Sequence, residues 1–125
     1  MTTTATTAKK SINTPDEVRD VPNARLEFVT VGDTLFGRMI AQPGWKWSDS
    51  VKPIAQTDSC EFPHQLYVVS GALHVKMDDG TELDLVAGDV AVIAPGHDAW
   101  VVGDAPCEMV DFGDDDIDYA TPPKQ

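Results

Sequence analysis

Short apolar runs and turn signals alternate along most of this chain. Leu26, Phe28 and either Thr30 or Val31 alternate with Glu27 and Val29, Gly32-Asp33 turns the chain, and residues 35–40 return, which is the pattern of a hairpin. After a break at Pro43-Gly44, Trp45 and Trp47 share one face by period-2 spacing, and a loop follows over residues 48–53. Residues 65–70 are almost continuously apolar, which predicts a strand covered on both faces. Beyond Gly71, Leu73, Val75 and Met77 alternate with His74 and Lys76, and Asp79-Gly80 is a strong hairpin signal with a return over 82–86. Gly88-Asp89 turns into 90–93, Pro95-Gly96 makes another corner, and 100–102 and 108–112 close the set. The cadence predicts nine or ten short strands and almost no helix, an all-β protein that hides its edges by closing into a barrel or jelly roll.

The ends break this pattern. Residues 1–22 read as a flexible arm, Thr- and Ala-rich at first, with a short helical turn at Thr14-Pro15-Asp16-Glu17 that Pro22 stops. Residues 23–113 are the barrel, and 114–125 an acidic tail. The chain carries 21 acidic and 9 basic residues, a net charge of −12. That excess repels phosphate backbones, so no nucleic-acid partner is expected. Much of the acid lies near the end, in Asp111 and the run Asp114, Asp115, Asp116 and Asp118, and a run like that reads as a solvated tail. No apolar run approaches a membrane span and no apolar segment follows the first lysines, so no membrane role and a reducing cytoplasm are expected.

The candidate chemistry lies at strand edges. Cys60, His64 and His97 are side chains that hold borderline divalent metals. Four strand residues are too far apart for Cys60 and His64 to share an ion, but a corner at Phe62-Pro63 lets them converge. One thiolate and two imidazoles suit Zn²⁺ best and Fe²⁺ or Ni²⁺ less specifically, with a fourth position open to water or substrate. Asp58 is a further candidate, as a ligand or as an acceptor for a histidine N–H. Trp45, Trp47 and Trp100 are candidate walls of a small-molecule pocket, and Arg38 a candidate carboxylate clamp. The plainer alternatives are that the tryptophans pack a core or a dimer interface and that Arg38 pairs with an acid. His74 alternates with core positions and is expected at the surface, and Cys107 is expected to be a small buried hydrophobe.

Tyr67-Val68-Val69-Ser70-Gly71, then Gly88-Asp89-Val90, then Pro95-Gly96-His97, resembles the cupin superfamily. The resemblance implies a double-stranded β-helix, a jelly-roll barrel, with a divalent metal held inside by three histidines and a glutamate. In this chain the glutamate position falls on His64, the first two histidines on Asp58 and Cys60, the last on Ala99, and a later asparagine on Gly103. The frame is kept and the ligand set is altered. Two functions follow: a metal-dependent cupin enzyme on a small organic molecule, by dioxygenation, isomerisation or hydrolysis; or a non-catalytic module that binds or senses a small molecule without metal. A homodimer is the expected assembly, paired through a sheet face.

Overall fold

In a computed structural model, residues 7–61 and 63–112 are described. The expectations for residues 1–6, for the 114–125 tail and for Phe62 lie outside them. The described residues form nine strands: β1 (Glu17–Val21), β2 (Ala24–Val31), β3 (Thr34–Ala41), β4 (His64–Ser70), β5 (Ala72–Met77), β6 (Glu82–Val86), β7 (Val90–Ile93), β8 (His97–Val101) and β9 (Cys107–Phe112). Helix is confined to single turns, α1 (Trp47–Ser50) and α2 (Lys52–Ala55). The strands form a six-stranded sheet, β1-β2-β3-β9-β4-β7, and a three-stranded sheet, β6-β5-β8. Every pairing is antiparallel. This is the all-β architecture that the strand cadence predicts, in two sheets as the resemblance implies.

The hairpins form where their turn residues demand. Gly32 and Gly80 both adopt positive φ between paired strands, a region open to glycine without a Cβ penalty. Inward positions carry the core: Leu66 and Val68 on β4, Leu73 and Val75 on β5, Ala99 and Val101 on β8, Cys107 and Met109 on β9. Trp45 and Trp47 join them, as their shared parity predicts. Fully burying such side chains contributes about 1.5–3 kcal/mol each.

Three expectations are corrected. A strand, β1, replaces the helical turn: Asp16 spends its carboxylate on the Thr30 N–H (2.9 Å) rather than on a helix start, and Glu17–Val21 then pairs with β2. The 1–22 arm therefore ends in a sheet strand. Strand β4 is covered on one face only, because Tyr67 and Val69 point outward and are 39% and 42% exposed. Asp111 is not a solvated residue: it pairs in register with Leu66, whose side chain faces the core, and its own side chain is 13% exposed.

Candidate metal centre

The main chain builds the site before any side chain contributes. Cys60 forms an isolated bridge with His97 at the start of β8. Its N–H donates to His97 O (2.7 Å), and its own carbonyl accepts from Gly96 (2.7 Å) and His97 (3.3 Å). This ties the segment before β4 to the Pro95-Gly96 corner. His64 opens β4 on the face of Leu66, and His97 opens β8 on the face of Ala99, so period-2 geometry turns both rings inward.

The three side chains meet. One ligand atom from each of Cys60, His64 and His97 lies within 4.8 Å of the other two. Cys60 Sγ is 3.6 Å from His64 Nε2, and the imidazole rings cross edge-on with centroids 5.1 Å apart. Cys60 and His97 are buried, and His64 nearly so. One nitrogen of each ring is turned toward the thiol while the other is anchored. His64 Nδ1 lies 2.6 Å from Asp111 Oδ2, and His97 Nδ1 lies 2.8 Å from the Ala94 carbonyl.

Electrostatics follow from that packing. Burial alone would push the Cys60 thiol up, but hydrogen bonds and charge from His64 and His97 outweigh it and bring the pKa down to about 6. Burial would lower His64, but the Asp111 carboxylate and the Cys60 thiolate raise it to about 9. Near neutral pH the metal-free site is thus a thiolate–imidazolium pair backed by a carboxylate. Cys107, buried with no such partners, is pushed up to about 11 and behaves as the small hydrophobe expected.

The other candidates fall elsewhere. Asp58 shares parity with Cys60, yet its side chain is fully exposed and 4.0 Å from Lys52 Nζ, so it is not a ligand or an acceptor within this cluster. Arg38 pairs in register with Val110, on the outward face, and donates to Glu27 Oε1 (2.7 Å) and Asn13 Oδ1 (3.1 Å). Buried Glu27 also takes Arg25 (2.9 Å), and the two guanidiniums hold its carboxyl low against the upward push of burial. Arg38 is therefore the acid-paired residue of the plainer alternative. Trp100 lies opposite His74 on the outer face of the smaller sheet, beneath Lys46 Nζ at 5.1 Å, and does not wall the cluster. His74 bonds Asp84 and Glu82 there (2.6 Å each), and their carboxylates raise its pKa. Trp45 and Trp47 do face inward, beside Val101 and Ala99, by the register of the Lys46–Trp100 bridge. The residue missed in the sequence is Asp111. A period-2 reading of the last strand, with Met109 inward, would have turned it into the barrel.

Comparison with known proteins agrees with this architecture. The sequence model of the EutQ-like cupin domain matches residues 37–108. No curated protein matches the sequence. Among solved structures, the chain is similar to an oxalate decarboxylase–formate complex from Lactobacillus farciminis, with TM-score 0.66 and 17% identity over 94% of this chain and 36% of that one. It is also similar to the polyketide cyclase RemF from Streptomyces resistomycificus, with TM-score 0.60 and 12% identity over 85% of this chain and 78% of that one. An RmlC-like cupin from Shewanella frigidimarina matches with TM-score 0.57 and 16% identity, covering 87% and 96%. At these identities the likeness shows the fold. Among the described residues, no helix is long and apolar enough to cross a membrane.

Proposed function

The chain belongs to the EutQ-like cupin family, and on that premise we propose that it holds one divalent metal ion through Cys60, His64 and His97 and uses it on a small organic ligand inside the barrel. The observation that carries this reading is the approach of the three ligand atoms to within 4.8 Å of one another. A thiol paired only with one imidazole would not need His97, whose anchored Nδ1 leaves its other nitrogen toward the same point. The donor set, one soft and two borderline, fits Zn²⁺ best, with Fe²⁺ or Ni²⁺ as weaker fits. Three protein ligands leave a fourth position, where zinc would supply Lewis-acid chemistry to water or to a substrate oxygen. Cys60 and His64 would hold the ion in a buried setting, and His97 would complete the set from the start of β8. Two structural relatives are named as enzymes, an oxalate decarboxylase and a polyketide cyclase, which supports a catalytic role on an oxygen-bearing molecule. Two free thiols, Cys60 and Cys107, fit a reducing cytoplasm.

Elemental analysis of the untagged chain after zinc loading and gel filtration tests the site. About one zinc per chain is expected in the parent, and close to none in Cys60→Ser and His64→Ala. A parent that stays metal-free would sink the reading and leave a metal-free binding module in its place.

The proposal extends to a homodimer. The outward side of β4 and β7 carries Tyr67, Val69, Val90 and Val92, the last two 78% exposed, and no charged side chain points outward from either strand. In a chain of net charge −12, a face without charged side chains lets two copies meet with little repulsion. Sedimentation is expected to return twice the chain mass for the parent and the chain mass for Val90→Asp/Val92→Asp. A monomeric parent would refute it.

A further inference from the structure

We infer that Asp111 is a positioning residue for the metal centre: it fixes the His64 ring and its proton so that Nε2 is the ligating atom. The inference rests on the metal reading above, and it concerns a residue from the opposite end of the chain that takes no part in the ligand cluster itself.

The geometry runs through three contacts. Asp111 Oδ2 lies 2.6 Å from His64 Nδ1. A carboxylate only accepts, so Nδ1 carries the hydrogen. A ligating imidazole is neutral and keeps one N–H, so with that hydrogen on Nδ1 the lone pair would be on Nε2, the nitrogen 3.6 Å from Cys60 Sγ. The carboxylate is itself held: its other oxygen, Oδ1, accepts from the Gln65 N–H at 3.4 Å on the next residue of β4. One oxygen thus locks to the strand that carries His64 while the other locks the ring. The register of β9 on β4, Leu66 opposite Asp111, brings the carboxylate into the inward row that His64 opens.

His97 makes the contrast. Its Nδ1 is anchored by a main-chain carbonyl, Ala94 O, which no side-chain substitution removes. Of the two imidazoles only His64 depends on a side chain for its orientation. Without Asp111 the other tautomer becomes accessible, with an N–H aimed at the ion and the Nδ1 anchor lost. Partners of this kind are worth on the order of 10- to 100-fold in metal affinity.

The test compares full-length parent, Asp111→Asn and Asp111→Ala by zinc competition against a chelator, with melting temperatures of the metal-free proteins and ¹⁵N spectra of the zinc-loaded histidine rings. Expected are a parent ring protonated at His64 Nδ1 and metal-bound at Nε2, a loss of about 100-fold for Ala, and about 10-fold for Asn. Asn suffers less because its carbonyl can still accept from Nδ1, although its amide can also turn and donate. Should Asp111→Ala fail to fold, Asp111→Asn at the parental melting temperature carries the test. Parental zinc affinity in the folded variants, or metal bound through His64 Nδ1 in the parent, would overturn the inference and leave the metal site standing. A parent that takes up no zinc would overturn both.

Discussion

Zinc affinity is expected to climb about tenfold per pH unit between about pH 6 and about pH 9, and more steeply below pH 6. The metal needs Cys60 as thiolate and His64 with a free lone pair. In the metal-free chain Cys60 has already lost its proton above about 6, whereas His64 keeps its own until about 9. Across that window the ion must displace one proton, from the nitrogen that faces the thiolate. Below it the ion must displace two. The span amounts to a change on the order of a thousandfold, larger than any single substitution outside the three ligands should produce. Competition titrations at several pH values, with proton release followed alongside, would read the slope. A flat profile from pH 6 to pH 9 would mean that the thiolate–imidazolium pair does not form.

The same pair shapes the stability of the metal-free protein, with opposite signs from its two members. His64 is raised from 6.5 to about 9, so its contribution is complete below 6.5 and is lost as pH rises through 9. Cys60 is depressed from 9.0 to about 6, so its contribution is complete above 9.0 and is lost as pH falls through 6. The two overlap between these limits, where the apo protein should be most resistant to denaturant. Cys60→Ser should flatten that optimum.

Much of this site is legible in the residue order because it depends on local rules. The hairpins follow from Gly32-Asp33 and Asp79-Gly80, whose positive φ the structure reproduces. Cys60 and His64 converge as expected, and the inward pointing of His97 follows from its parity with Ala99. What escapes is set by partners far along the chain. Asp111 is 47 residues from His64, and an acid beside four more aspartates reads as solvated until the β4–β9 register is known. Asp58 fails for the converse reason: parity alone ignores that its side chain is exposed beside Lys52. The helical turn at residues 14–17 was outvoted because one Asp16 bond to Thr30 and a whole ladder with β2 outweigh the capping of a single turn. Strand β4 looked two-sided because exposed Tyr67 and Val69 continue the apolar run of buried Leu66 and Val68, and composition cannot tell a core face from an exposed apolar one.

Gly71→Ala is expected to destabilise the protein on the order of 3–5 kcal/mol. Gly71 ends β4 at φ +82, where an L side chain is strained by about 1–2 kcal/mol. Space adds the rest. A Cβ there would lie 2.3 Å from Pro106 O and 2.6 Å from Cys107 Cα, both main chain, so no side-chain rotation relieves it. The strand that must shift is β9, which begins at Cys107 and carries Asp111. The variant should therefore lose zinc affinity as well as stability. Gly80→Ala separates strain from contact: its φ is +96, yet nothing lies within 4 Å of the added carbon. Its cost should be about 1 kcal/mol, with zinc affinity unchanged. Urea midpoints of the two variants decide the matter. Equal shifts would show that backbone strain alone explains glycine at this corner, and that the close approach of β9 to the end of β4 contributes nothing.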